Sequence, residues 1–248
     1  MTTDATPPPR RRRFLTAEWR HLLMLNYPVE RTLLEPFVPA GTVLDTYRGN
    51  ACVSLVGFLF LQTRVFGLPV PLHRDFEEVN LRFYVRRFAD GGWRRGVVFI
   101  KEIVPKPLIA AIARFAYNEA YVALPMSHRV ELHPQGGPEA VEFGWRHEGE
   151  SFALRAKTSG EARLPAPGSL DEFITEHYWG YVRQRDVRSL EYQVEHPPWR
   201  LWTAADAAFE GDATRLYGEA FAAVLRQAPA SAFLAEGSPV TVFRGGRL

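Results

Sequence analysis

The alternation of apolar and polar positions predicts a chain built mainly of strands. Short runs with a period of two recur along most of the sequence, and turn residues such as Gly49-Asn50 separate them. This pattern predicts about nine or ten strands and three or four helices. Strands and helices do not alternate regularly, which disfavours a doubly wound parallel sheet. We therefore expect an α+β fold in which helices pack on a mainly antiparallel sheet or barrel.

The predicted strand "FEEVNLRFYV", residues 76–85, has two different faces. The mostly apolar face carries Glu77, Val79, Leu81, Phe83 and Val85. The opposite face carries Phe76, Glu78, Asn80, Arg82 and Tyr84. One interpretation of this second row is a solvated surface with a weak Glu78–Arg82 pair. The other is a polar cavity wall, with Glu78 as an acid/base and Arg82 as an anion contact. Asn80 and Tyr84 would then contact the substrate as well.

The clearest predicted helix is "PLIAAIARFAYNEAY", residues 107–121. Its apolar stripe consists of Leu108, Ile112, Phe115 and Ala116.

Lys106 lies between Pro105 and Pro107, at the predicted start of this helix. A lysine has no side-chain oxygen with which to cap the first amides, so those amides can face solvent or an anion. The positive end of a helix also favours the uncharged form of a lysine amine. Schiff-base chemistry requires this uncharged form, because it is the nucleophile. Lys106 is therefore a candidate nucleophile, a candidate anion contact, or an exposed lysine in a turn.

A third cluster of chemistry-bearing residues spans "EHYWGYVRQRD" and "EYQVEHPPWRLW". Aromatic residues at this density are typical of a core or of a capped cavity mouth. His196 precedes two prolines and is expected to end a strand. His196 and Tyr178 are candidates for lining a ligand site.

Composition places the chain among soluble globular proteins with a large core. Its 248 residues are 46% hydrophobic and 23% charged, with a net charge of +2. This near-neutral balance argues against a nucleic-acid partner. No apolar stretch reaches the roughly 18 residues of a membrane span, so no membrane partner is expected. The lone cysteine, Cys52, is interpreted as a buried apolar residue, which fits a reducing cytoplasm.

We interpret residues 1–13 as a disordered, basic, Pro-rich tail and residues 14–248 as a single domain. The "RRRFL" motif in and after the tail resembles a twin-arginine signal, but no apolar export segment follows it. Phosphate-binding and dinucleotide-binding loops are absent, so no cofactor is expected. His128 and His133 fall on opposite faces of one predicted strand, so no metal site is expected either.

Several segments together resemble the YqjF-like family of uncharacterised proteins, from about Glu18 to the C-terminus. They are "EWRHLLMLNYPVERTLLEPFVPAGTVLD", "VSLVGFLF", "LPVPLHRDFEEVNLRFYV", "RRGVVFIKEIVP", "HYWGYVRQRD" and "VEHPPW". That family is placed in the acetoacetate decarboxylase-like superfamily. The resemblance implies an antiparallel β cone or barrel around a pocket.

The resemblance also implies roles for individual residues. "KEIVPKP" is similar to the superfamily's lysine motif, in which Lys106 would take the Schiff-base position. Pro107 stands where a second lysine is expected, and that lysine helps to activate the nucleophile. Glu78 falls on the position of an essential glutamate.

These observations leave three hypotheses open. The first is a lyase or hydratase-type enzyme that acts on a small keto or carboxylic acid through an imine on Lys106. The second is a non-catalytic binding protein for a small organic anion, and the third is a scaffold with an occluded pocket. The oligomeric state is left open between a monomer and a homo-oligomer, although superfamily relatives assemble and long hairpins offer edges for pairing.

Overall fold

The computed structural model describes residues 12–134, 137–186 and 188–248, apart from the side chains of residues 116 and 117. Residues 1–11, most of the predicted tail, lie outside this range, and the first strand begins at Arg13. The first eight strands are β1 (Arg13–Val29), β2 (Val43–Leu44), β3 (Ala51–Val65), β4 (Leu68–Pro69), β5 (Phe76–Ala89), β6 (Gly92–Val104), β7 (Tyr121–Ala123) and β8 (Met126–Leu132). The others are β9 (Pro138–His147), β10 (Glu150–Arg163), β11 (Trp179–Arg183), β12 (Ser189–Glu195), β13 (Leu201–Glu210), β14 (Ser231–Phe243) and β15 (Gly246–Arg247).

These strands form one sheet that closes on itself. Its central part runs in the order β12-β11-β6-β5-β3-β1-β14, and β12 also pairs with β14, so this part of the sheet is a ring. The pairings β6–β7 and β6–β11 are parallel, and the other pairings within the described residues are antiparallel. The predicted antiparallel sheet is therefore confirmed.

Helices are few and short. They are α1 (Arg31–Leu34), α2 (Pro107–Tyr117), α3 (Leu170–Thr175), α4 (Thr214–Tyr217) and α5 (Glu219–Leu225), with a 3-10 turn at Glu35–Phe37. The predicted α+β class therefore overstates the helical content, because most of the described residues lie in strands.

α2 ends four residues earlier than the pattern predicts. Asn118 takes a left-handed conformation with φ 59° and caps the helix, because asparagine tolerates that region. The turn predicted at Gly49-Asn50 does form, because Tyr47 and Asn50 exchange backbone hydrogen bonds, but the strand before it, β2, pairs with β5. Near the C-terminus, Ser231–Phe243 form one long strand, β14.

β5 divides two apolar regions, as its alternation predicts. Val79, Leu81, Phe83 and Val85 pack into one buried cluster with residues of β9, β10 and α5. Phe76 and Tyr84 belong to a second cluster with residues of β1, β3 and β6. The polar row on this second face of β5 is therefore enclosed by the protein and is not a solvated surface.

Candidate functional site

The second face of β5 borders a cavity of about 220 Å³. Its walls are mostly apolar and include Trp19, Phe58, Phe60, Phe76, Phe99 and Trp199. α2 contributes Leu108, Ile109, Ile112 and Ala113. Polar groups that reach the cavity include Glu78, Asn80, Arg82, Glu102, Glu119, Tyr121, His177, Tyr192 and His196. A mostly apolar pocket with a few convergent polar groups is typical of a small-molecule site.

Three of the four polar residues predicted on β5 line this cavity: Glu78, Asn80 and Arg82. The fourth, Tyr84, is buried, but it is not among the described residues that line the cavity. Its hydroxyl lies 2.6 Å from the hydroxyl of Ser54. Tyr84 therefore supports the wall and does not form part of the lining.

Glu78 is a buried carboxyl with two neutral hydrogen-bond donors. Asn80 Nδ2 donates to its Oε1 at 2.9 Å, and the Tyr121 hydroxyl donates to its Oε2 at 2.9 Å. Burial raises the pKa of Glu78 to about 7, although these two bonds and the charge of Arg82 pull it down. A carboxyl with this pKa can both accept and release a proton near neutral pH.

A bulge in β6 brings a second carboxyl, Glu102, beside Glu78. Leu81 pairs with Lys101 but Arg82 pairs with Phe99, so Ile100 is an extra residue in β6. Strict alternation would put Phe99 and Glu102 on opposite faces, yet both line the cavity. Burial and the neighbouring glutamates raise the pKa of Glu102 well above its ordinary value.

Glu119 completes a group of three carboxyls that we call the acidic trio (Glu78, Glu102 and Glu119). It follows the left-handed residue Asn118 at the end of α2, and it shares a hydrogen bond with Glu102. Burial raises the pKa of Glu119 to about 8. The Tyr192 hydroxyl donates to Glu119 Oε1 at 3.0 Å.

Gly180 allows the Tyr192 ring to lie where it does. A Cβ at Gly180 would stand 2.0 Å from Tyr192 Cζ, which is far inside van der Waals contact. The two residues are paired across β11 and β12. A glycine on β11 therefore determines where the hydroxyl of a β12 residue meets the acidic trio.

Arg82 brings a positive charge to the cavity. Its charge acts on Glu78, and its guanidinium lies 5.8 Å from the centre of the Tyr84 ring. Its Nη2 lies 3.6 Å from Met24 Sδ. Its Nε is buried and has no hydrogen-bond partner among the described residues.

His177 lies in the cavity wall in front of Asp45. Its Nε2 is 3.5 Å from Asp45 Oδ2, and Arg95 Nε donates to the same oxygen at 2.7 Å. Burial lowers the pKa of His177 to about 4, so the imidazole is neutral at physiological pH. Burial alone would raise the pKa of Asp45, but its contacts with His177 and Arg95 lower it to about 2.

His196 and Tyr178, the two candidates from the aromatic cluster, lie in different positions relative to the cavity. His196 lines the cavity, follows the end of β12 as predicted, and stacks on Trp199 with ring centres 4.1 Å apart. Burial lowers the pKa of His196. Tyr178 packs against His196 at 4.8 Å, but it is not among the described lining residues and donates its hydroxyl to Glu176.

Lys106 is the N-cap residue of α2, as the sequence predicts, and its side chain caps no amide. It is half-buried, and it is not among the described residues that line the cavity. The other two lysines are also missing from that lining. Lys101 donates to the Leu216 carbonyl, and Lys157 Nζ lies 4.0 Å from Asp206 Oδ2.

Two further observations limit the chemistry of the described residues. Their His, Cys, Asp and Glu side chains include no group of three or more placed to hold a metal ion, and the acidic trio is no exception. In the same part of the chain, no helix has the length and apolarity needed to cross a membrane.

Sequence reasoning missed Glu102, Glu119, Tyr121, Tyr192 and His177 as cavity residues. Period-two alternation gives no sign of the β6 bulge that directs Glu102 inward. Asn118 before Glu119 was a usable signal, because asparagine is enriched in the left-handed conformation that ends helices. Tyr121 was missed because the predicted helix extends through it, whereas in the structure it begins β7, which pairs with β6 and places Tyr121 beside Glu102.

Comparison with known proteins agrees with the resemblance in sequence. The model of the DUF2071 family, described as an uncharacterized conserved protein, matches residues 16–239. The uncharacterized protein YqjF of Bacillus subtilis (strain 168) is 28% identical over an alignment of 192 residues, with 75% of this chain and 74% of YqjF covered.

Solved structures share the fold at low sequence identity. An acetoacetate decarboxylase-like enzyme from Sphingomonas wittichii RW1 matches with a TM-score of 0.64 and 16% identity, covering 100% of this chain and 99% of that one. The enduracididine biosynthesis enzyme MppR, complexed with pyruvate, matches with a TM-score of 0.65 and 14% identity, covering 99% and 92%. The chain therefore belongs to the DUF2071 family and has the fold of acetoacetate decarboxylase-like enzymes.

Proposed function

We propose that this protein is an acid–base enzyme for a small keto or carboxylic acid with an apolar tail. One observation carries the proposal. Glu78, with a pKa of about 7, and Arg82 lie two residues apart on one face of β5 and open into the same mostly apolar cavity. A titratable carboxyl and a fixed positive charge are the two groups that proton abstraction next to a carbonyl requires.

The proposed step is proton transfer at the carbon beside the substrate carbonyl. The Glu78 carboxylate takes the proton, and the electron pair of the broken C–H bond forms the double bond of an enolate. Arg82 contacts the carboxylate and the neighbouring carbonyl oxygen, and it stabilises the negative charge that develops on that carbonyl oxygen as the enolate forms. Return of the proton from Glu78 completes the cycle without a further reactant.

The apolar walls determine the rest of the substrate. A hydrocarbon or aryl tail would displace water from the aromatic lining and gain free energy in proportion to the apolar area buried. MppR, which shares the fold, is described as complexed with pyruvate, and this supports a keto acid as the ligand class.

Calorimetric titration with hexanoate and 2-oxohexanoate tests the binding half of the proposal. We expect Arg82→Met to weaken the binding of both acids by about tenfold or more, because a charge-assisted hydrogen bond is lost. The matched control is Arg64→Met, since Arg64 lies on the exposed end of β3 and does not line the cavity. Equal affinities for the wild type and Arg82→Met would contradict the anion contact.

An imine mechanism is the competing proposal, and it requires Lys106 to reach the ligand. The acid–base account expects no covalent adduct when the protein is treated with borohydride and a panel of keto acids, followed by intact mass measurement. An adduct that forms in the wild type and is lost in Lys106→Arg would replace this account with the imine mechanism. Binding without any proton exchange would favour the non-catalytic binding protein.

A further inference from the structure

Three buried polar atoms at the acidic end of the cavity have no hydrogen-bond partner among the described residues. They are Asn80 Oδ1, Glu102 Oε2 and Arg82 Nε. All three residues line the cavity. Since buried polar groups are nearly always hydrogen-bonded, these atoms indicate which groups a ligand presents.

The two oxygens are adjacent acceptors. Asn80 uses its amide nitrogen on Glu78, which leaves its oxygen to accept. Glu102 shares a hydrogen bond with Glu119, and only a protonated carboxyl can donate in such a pair. This bond raises the pKa of Glu102 and lowers that of Glu119, so the proton lies on the Glu102 oxygen that faces Glu119, and Glu102 Oε2 remains an acceptor. Asn80 and Glu102 are cross-strand partners, so their Cβ atoms lie about 5 Å apart.

Arg82 supplies a hydrogen-bond donor and a positive charge close to these two acceptors. It lies two residues along β5 from Asn80, on the same face, at about 6–7 Å between Cα atoms. The cavity therefore presents a cation beside a pair of acceptors. A ligand that satisfies all three atoms has an anionic group next to a hydrogen-bond donor.

We infer that the ligand is a hydroxy acid, with its carboxylate at Arg82 and its hydroxyl, on the second or third carbon, donating to Asn80 Oδ1 or Glu102 Oε2. The inference rests on the proposed function and names the substrate class of the same site. A hydroxyl fits better than an ammonium, because an ammonium would be repelled by the nearby guanidinium of Arg82.

Calorimetric titration of the wild type with a matched series of acids tests this assignment. The series is hexanoate, its 2-hydroxy and 3-hydroxy derivatives, 3-methoxyhexanoate and 3-aminohexanoate. We expect at least one hydroxy acid to bind about tenfold more tightly than hexanoate, as one added hydrogen bond to a buried polar group allows. The methoxy derivative can accept but cannot donate, and it should show no gain over hexanoate.

A variant then locates the contact. Glu102→Gln places an amide at this position and should reduce the gain from the hydroxyl while hexanoate still binds. Glu77→Gln is the control, because Glu77 lies on the opposite face of β5 and contacts His128. If Glu102→Gln does not fold, the comparison of hydroxy and methoxy acids in the wild type decides the question.

The failures of the two proposals can be told apart. Equal binding of hexanoate and both hydroxy acids would overturn this inference and leave the proposed function standing. Tightest binding of the amino acid would also overturn it. If no acid in the series binds but 2-oxohexanoate does, this inference is overturned and the proposed function stands. If 2-oxohexanoate does not bind either, both proposals are refuted.

Discussion

Among single residues, the acidic trio should make the stability of the protein depend on pH. Burial raises the pKa of Glu78 to about 7 and that of Glu119 to about 8, against an ordinary value of 4.5. A carboxyl whose pKa is raised in the folded state holds its proton more tightly there than in the unfolded chain. Its contribution to stability is therefore present at low pH and is lost as the pH rises through the folded pKa.

We predict that the free energy of unfolding falls as the pH rises from about 5 to about 8. Urea denaturation at several pH values measures this dependence. Glu119→Gln should flatten the curve, because glutamine does not titrate, whereas Glu77→Gln should leave it unchanged. A stability that rises steadily over this range would contradict the assigned protonation of the trio.

For the elements of the fold, the bulge in β6 and the glycine in β11 determine the chemistry of the cavity. Without the extra residue Ile100, Phe99 and Glu102 could not both face inward. Neither feature has a local sequence signature, because each depends on which strands become neighbours. The two faces of β5 could be predicted, since alternation is written in the order of its residues.

Gly180→Ala tests the second of these features. The added Cβ would stand 2.0 Å from Tyr192 Cζ, so the ring must move and its hydroxyl must leave Glu119. We predict a loss of about 1–3 kcal/mol in the free energy of unfolding, as is usual for overpacking. Gly92→Ala is the control, because a Cβ there meets nothing within 4 Å. Equal stabilities of the two variants would show that the ring has room to move.

In the molecule as a whole, a closed ring of strands separates the cavity from the main apolar core. The antiparallel sheet and the polar row were predictable, because both follow from period-two patterns. The closure of β12 on β14 was not, because it joins residues far apart in the chain. The position of Lys106 at a helix start was predictable, because the prolines on either side of it are a local signal. Its absence from the described cavity lining was not predictable, because the lining depends on how distant strands pack together.

The central claim is that Glu78 exchanges a proton with an acid held in this cavity. Nuclear magnetic resonance of 2-oxohexanoate in heavy water measures this directly, as loss of the proton signal from the carbon beside the carbonyl. We predict exchange that is about 100-fold or more above the buffer rate with the wild type and with Glu77→Gln, since a positioned general base contributes at least that much. Exchange should fall to near the buffer rate with Glu78→Gln. Exchange at the buffer rate with the wild type, or an unchanged rate with Glu78→Gln, would contradict the account.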